Sequence, residues 1–315
     1  MENQAKSEQD LMSAWGDRRK PLLSIVCLAY NHADFIRETL EGFLRQETDF
    51  PFEVIVHDDA STDRTAAIIA EYAARYPQVI KPIYQRENQY SKGVPFSTRL
   101  FAEARGSYIA YCEGDDYWTD PRKLQIQVDF LEKHRDYVMT YHDAYMFNSQ
   151  GVVRSPHLQG KLRRDASARE LMQARPVSTL TVCFRNLLSE LPPELHGVEV
   201  LDICWWSLLG AHGKGKFIAE IKPAAYRVHE GGIFSMRSSQ QRIQMSMHAY
   251  YCLARYYQRV GNQPLYEYFM IQVFAQALAS ISPLSKLQAL GQVCQNISIN
   301  LLRRLTQAPN RVLPR

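Results

Sequence analysis

Long apolar runs are missing from this 315-residue chain. No stretch of about 18 apolar residues occurs, so no transmembrane helix is expected. Residues 1–20 are polar and mixed in charge and lack the apolar stretch of a signal peptide. The first strand-like run ends Leu28-Ala29-Tyr30-Asn31-His32 without a G-x-G-x-x-G turn, which argues against a Rossmann pyrophosphate cradle. A G-x-x-x-x-G-K-[ST] loop is absent too, so any bound phosphates must be neutralised by metal and side chains. Internal repeats and low-complexity tracts are missing. The six cysteines, Cys27, Cys112, Cys183, Cys204, Cys252 and Cys294, form no C-x-x-C pair. Cys27, Cys112 and Cys183 sit inside apolar strand-like runs and read as buried free thiols rather than as disulfides or zinc ligands. That favours a reducing, cytoplasmic setting.

Acidic residues are nearly absent from the C-terminal quarter. Residues 237–315 hold nine Arg and Lys against one acid, Glu267, and the remainder of the chain carries a net −4. The composition, 46% hydrophobic and 22% charged, is that of a globular chain. The length suits one large α/β domain with an appendage, or two domains.

Strand and helix patterns alternate through residues 22–147. Residues 22–29 form a continuous apolar run, as in a strand buried on both faces. Phe35, Ile36, Leu40, Phe43 and Leu44 then recur at helical spacing. Residues 52–56 read as a second strand, and Asp63 caps a following helix that contains Ile68, Ile69 and Tyr72. Residues 79–84 and 108–112 are further strands. Asp120-Pro121 opens a helix, and residues 137–147 return as one strand. This alternation predicts an α/β fold, a mostly parallel sheet with helices on both faces. Residues 150–170 read as a mobile polar loop, 177–184 as a strand and 201–209 as a Trp-rich helix. Residues 226–229 close the sheet region before a break at Gly231-Gly232. From Arg237 onward the pattern is helical, with one apolar face through Leu265, Phe269, Val273 and Phe274. A second runs from Leu284 to Leu305.

Two acidic clusters follow strands: Asp58-Asp59-Ala60-Ser61-Thr62-Asp63 and Glu113-Gly114-Asp115-Asp116. Ligands of open α/β sheets bind at the carboxyl ends of the strands. Capping accounts for Thr62 and Asp63, but not for two adjacent carboxylates straight after an apolar strand, which repel unless a cation or donor-rich ligand intervenes. Asp59 is placed to accept hydrogen bonds from a nucleobase or ribose. Three carboxylates in four residues, flanked by Tyr117-Trp118, can hold a hard divalent cation together with phosphate oxygens. The chemistry expected is a metal-bound nucleoside diphosphate.

In order and spacing, four motifs resemble family 2 glycosyltransferases of the GT-A fold. They are Ser24-Ile25-Val26-Cys27-Leu28-Ala29-Tyr30-Asn31, Glu53 through Thr65, Ala104 through Ala110 before Glu113-Gly114-Asp115-Asp116, and Tyr226-Arg227-Val228-His229. The resemblance covers roughly residues 21–235 and says little about residues 237–315. It implies a catalytic domain over 21–236, with a nucleotide-binding half at 21–147 and an acceptor-binding half at 148–236. A flexible segment precedes it at 1–20, and a basic helical region follows at 237–315. It implies nucleotide contacts from Ala29, Tyr30, Asn31, Asp59, Arg99 and Asp115, and metal contacts from Asp116 and His229, the last alternatively a diphosphate contact. Glu113-Gly114 stands where many relatives have Asp-Ser or Asp-Ala, and Arg99-Leu100 where an Arg-Asn pair is frequent. Asp202, before Trp205-Trp206, is implied as the catalytic base, with helix capping as the bland alternative and Glu199 as the rival carboxylate. The two tryptophans either stack on a sugar or belong to the core.

The expected activity is inverting transfer of a sugar, a hexosyl group, from a UDP-type donor to a glycan or lipid-linked glycan hydroxyl. Mg²⁺ or Mn²⁺ is the expected cofactor, and polysaccharide or cell-envelope synthesis the setting. Rival readings are an inactive nucleotide-sugar-binding or scaffold protein and a sugar nucleotidyltransferase. The basic tail either packs on the catalytic domain, forms a homo-oligomer, or lies peripherally on an anionic membrane surface on the cytoplasmic side. Nucleic acid is not an expected partner.

Overall fold

The computed structural model describes residues 6–93, 96–188, 190–232 and 236–281, together with Ser285, Gln288 and Gln292. The elements begin with α1 (Glu8–Ser13), β1 (Leu23–Ala29), α2 (Ile36–Leu44), β2 (Phe52–Asp58) and α3 (Thr65–Arg75). They continue with β3 (Ile80–Tyr84), α4 (Phe96–Glu103), β4 (Tyr108–Tyr111), α5 (Lys123–Lys133) and β5 (Tyr137–Tyr141). Next come β6 (Ala144–Asn148), β7 (Gly151–Arg154), α6 (Ala168–Met172), β8 (Cys183–Arg185) and α7 (Leu201–Leu209). The last elements are β9 (Lys214–Phe217), β10 (Ala224–Arg227), α8 (Ser239–Arg259) and α9 (Gln263–Ser280).

Seven strands form one sheet in the order β3-β2-β1-β4-β8-β5-β9. β1 runs parallel to β2 and β4, and β2 parallel to β3, while β8 is antiparallel to both of its neighbours. The sheet is mostly parallel, with helices packed on it, as the alternation predicts. Strand β1 shows why its sequence is apolar throughout. Leu23, Ile25 and Cys27 enter a cluster with α2, α3 and α5, whereas Val26 enters a second cluster with α4, α7 and α8. Side chains alternate across a strand, so both faces must be apolar.

Four local expectations change. Residues 6–20, read as a flexible lead-in, carry α1 and pack down: Trp15 is 5% exposed and its Nε1 donates to Thr48 Oγ1 at 3.2 Å. The strand expected over 137–147 breaks at His142-Asp143, and its second half joins a separate sheet of order β10-β6-β7. The loop expected at 150–170 contains β7 and the start of α6, whose capping box pairs Ser167 with Glu170. The strand expected over 177–184 is paired only as Cys183–Arg185, because a 3-10 turn occupies Thr179–Thr181.

Among the described residues up to Ile281, the C-terminal region holds two helices separated by Gly261, whose φ of 75° is left-handed, and Asn262, which caps α9. Both pack on the body. Tyr257 of α8 shares a 2.9 Å hydrogen bond with Ser207 of α7 and stacks on Phe269 of α9. The apolar face expected from Leu284 to Leu305 lies outside the described residues. Among the described residues no helix is long and apolar enough to cross a membrane. The five described cysteines are all buried and free, and Cys294 lies outside the described residues.

Gly106 is required by close approach. A Cβ on Gly106 would lie 2.5 Å from the Ser24 backbone nitrogen and 2.6 Å from the Leu23 carbonyl carbon. Gly106 N–H also donates to Ser24 Oγ, which in turn donates to the buried Glu53 carboxylate. Gly106→Ala is expected to cost about 1–3 kcal/mol through a forced shift of β1. Urea unfolding of the variant checks this; an unchanged midpoint would mean the loop yields freely.

Candidate functional site

The site lies at the carboxyl ends of β1, β2 and β4. The loops after β1 and β2 are tied together. Asn31, at φ 54°, accepts the Thr62 amide N–H at its Oδ1 and donates its own amide N–H to Ser61 Oγ. Asp63 accepts the Ala33 N–H at 3.0 Å and the Thr65 N–H at 2.9 Å, so it braces the β1 loop as well as the start of α3. Asp58 accepts the Ser61 N–H, closing the turn from within. Asp59 is 7% exposed, and its two oxygens accept the backbone N–H groups of Gln89 and Tyr90 at 2.7 and 3.0 Å. It therefore pins the segment after β3 beside the cleft. Ala29 is buried at the end of β1, while Tyr30 is 43% exposed beside it. Arg99 stands on α4 with its side chain 70% exposed and paired to Glu103 at 3.6 Å.

The second cluster turns inward at Gly114. A Cβ there would meet His32 Nδ1 and Ile36 Cδ1 at 3.0 Å, so glycine lets this turn lie against the β1 loop. Thr39 of α2 holds the turn from below, donating to the Gly114 and Asp116 carbonyls. The three carboxyls then diverge. Glu113 accepts from Thr179 Oγ1 at 2.9 Å, and burial, reinforced by the Asp115 charge, pushes its pKa up to about 8. Asp116 is 3% exposed and accepts the Arg227 N–H at 2.7 Å. Its pKa is raised well above the ordinary range by burial and by the charges of Asp115 and Glu113. Burial also works to raise Asp115, but the hydrogen bond with His229 and the nearby His32 outweigh it and leave Asp115 lowered. Like charges this close separate into one ionised and one protonated group.

His229 Nε2 lies 2.9 Å from Asp115 Oδ2, and His32 Nε2 lies 3.8 Å from the same oxygen. One ligand atom from each of His32, Asp115 and His229 falls within 4.8 Å of the others. Asp116, placed with His229 in the sequence reading, faces the Arg227 backbone instead, and Asp115 takes the position beside His229. His32 had no assigned role. Its signal was its location straight after β1, where such sheets bind ligands. Burial lowers the His32 pKa, which favours the neutral imidazole that binds metals, and its buried Nδ1 has no hydrogen-bond partner.

Asp202 sits in the first turn of α7, whose cap position is Val200 with no side-chain cap. Burial raises the Asp202 pKa to about 6, opposed by the Ile203 N–H. It lies close enough for its charge to raise Glu113 and Tyr226, which puts it near the second acidic cluster. Glu199 is exposed and acts on Tyr90 instead. Trp205 and Trp206 are 3% and 0% exposed, packed against Phe101, Tyr111 and Phe184 as core.

The chain is 39% identical over 225 residues to an uncharacterized protein of Mycobacterium tuberculosis, covering 70% of this chain and 62% of that protein. It thus spans less than two thirds of that relative's length. Its fold is similar to that of Staphylococcus aureus TarS 1–349, solved in complex with UDP-GlcNAc, at a TM-score of 0.53 and 17% identity, covering 73% of this chain and 66% of that one. It is also similar to that of the mannosyltransferase PcManGT from Pyrobaculum calidifontis, solved with GDP-Man and Mn²⁺. There the TM-score is 0.53 and the identity 17%, over 91% of this chain and 86% of that one. At that identity the likeness concerns the fold, which is of the GT-A kind expected from the motifs. The family model described as glycosyl transferase family 2 matches residues 24–188, and the chain belongs to that family.

Proposed function

We propose that this protein transfers a sugar, with inversion, from a nucleoside-diphosphate donor to a hydroxyl of a glycan or lipid-linked glycan. The observation that carries the reading is the convergence of His32, Asp115 and His229 at the strand ends, with Asp202 near enough to act on the neighbouring Glu113. The three residues fit a divalent cation: one ionised carboxylate and two imidazoles that both present Nε2 toward it. Two nitrogen donors depart from the all-oxygen set preferred by Mg²⁺, so Mn²⁺ suits this site better. A cation held there would neutralise the donor diphosphate and the charge of the leaving group.

The chain's own groups supply the remainder. Ala29, Tyr30 and Asn31 line the nucleotide side. Asp59 shapes it by fixing Gln89 and Tyr90, while keeping spare acceptor capacity for a base or ribose. Asp202 is half-buried, has its pKa raised to about 6, and removes the acceptor proton as that oxygen attacks the anomeric carbon. The donors held by the two similar folds, UDP-GlcNAc and GDP-Man, support a nucleotide-sugar donor of this class, with UDP the first to try.

Calorimetric binding of UDP, dTDP and GDP, each with Mn²⁺, Mg²⁺ or EDTA, tests the reading. One diphosphate is expected to bind with Mn²⁺ and to lose most of its affinity in EDTA. Binding of none of them, or affinity indifferent to EDTA, would overturn it.

A further inference from the structure

His229 lies two residues beyond the end of β10, in the small sheet, whereas Asp115 follows β4 of the large sheet. Something must hold the two parts in register for their side chains to meet at 2.9 Å. Arg227, the last residue of β10, is built into that junction. Its guanidinium carbon lies 4.7 Å from the Phe35 ring centre and 4.6 Å from that of Phe147, with Tyr117 at 5.7 Å. Its Nε donates to the Asp115 carbonyl at 2.9 Å, and its Nη2 donates to Glu38 of α2 at 2.5 Å. Its own amide N–H donates to Asp116 Oδ1. Phe35 also meets the His229 ring at 4.6 Å between centres, so one aromatic side chain touches both residues.

We propose that Arg227 is a positioning residue of the metal site, locking the Asp115 turn to β10 so that His229 and Asp115 share one cation. The proposal rests on the metal-site reading above. The arrangement calls for arginine rather than lysine. A planar guanidinium lies against aromatic rings while its edge donates in two directions, whereas an ammonium is a compact point charge. The side chain is 16% exposed, so the interactions act with limited solvent screening. Glu38, 46% exposed, neutralises the outer end of the guanidinium.

The test is Mn²⁺ binding to the full chain, followed by electron paramagnetic resonance, for wild type, Arg227→Lys, Glu38→Ala and Asp115→Asn. Arg227→Lys is expected to weaken Mn²⁺ by roughly 10- to 100-fold, the range for residues that orient metal ligands. Saturating Mn²⁺ should restore most of kcat, which a general loss of structure would not allow. Wild-type affinity in a folded Arg227→Lys, alongside loss of binding in Asp115→Asn, would overturn the positioning role and leave the metal site standing. Unchanged binding in Asp115→Asn would overturn the metal-site reading, and this inference with it. If Arg227→Lys fails to fold, Glu38→Ala decides: a several-fold loss of Mn²⁺ affinity is expected, and unchanged affinity would overturn the role.

Discussion

Asp202→Asn is expected to lower kcat by about 10²- to 10⁴-fold, the usual contribution of a positioned general base. Donor diphosphate affinity should stay near wild type, because Asp202 stands on α7 apart from the His32–Asp115–His229 cluster. The amide is nearly isosteric but cannot accept the acceptor's proton. Burial supplies a second signature. With its pKa raised to about 6, Asp202 is protonated and inactive below that value and becomes a competent base above it. The pH profile of kcat/KM should therefore rise through about pH 6 and level off above it. Steady-state rates of the wild type from pH 4.5 to 8, with calorimetry on the variant, check both. Near-full turnover in Asp202→Asn would move the base elsewhere, and Glu199→Gln would then be the variant to measure. While Asp202 is the base, Glu199→Gln should keep most of the activity, since Glu199 is exposed and faces Tyr90.

The second large effect separates two adjacent aspartates. Asp115→Asn is expected to weaken Mn²⁺-dependent diphosphate binding on the order of 100-fold or more, beyond the 10- to 100-fold typical of groups that only orient ligands. It removes the one ionised carboxylate that both histidines approach. Asp116→Asn should act less on the metal and more on the join with β10, because Asp116 is buried, inclined to hold a proton, and occupied by the Arg227 N–H. An amide oxygen can still accept that N–H. Side-by-side Mn²⁺ and diphosphate titrations of the two variants decide the order. If Asp116→Asn lost metal dependence while Asp115→Asn kept it, Asp116 would be the metal ligand, as the sequence motif had suggested, and the cluster would need rearrangement to bind.

The first part of the large sheet, β1 to β4, was legible because its signals are local. The apolar run of β1, the helical spacing of Phe43 and Leu44 in α2, and the turn residues around Asp63 each act within a few residues of themselves. Burial of a strand on two faces demands continuous apolar sequence wherever it occurs. The carboxylates after β2 and β4 could be read as site residues on the rule that ligands gather at strand carboxyl ends. Where the chain past residue 141 leaves the large sheet for a small one, the sequence carries the same β pattern on either side. Which sheet a strand joins depends on partners distant in the chain.

Taken alone, the sequence determined the fold class, the strand ends that bear acidic groups, and Asp202 as the carboxyl before a Trp-rich helix. Tertiary structure decided which of these groups meet. His32 and His229 are separated by almost two hundred residues; the Tyr226-Arg227-Val228-His229 motif marked His229, but nothing local joined His32 to it. The adjacency of β1 and β4, the absence of a side chain at Gly114, and the docking of β10 through Arg227 bring both rings to Asp115. The same packing turned Asp116 toward backbone and Trp205 and Trp206 into the core. Side-chain direction and burial follow from contacts across the fold, whereas residue spacing constrains only neighbours along the chain.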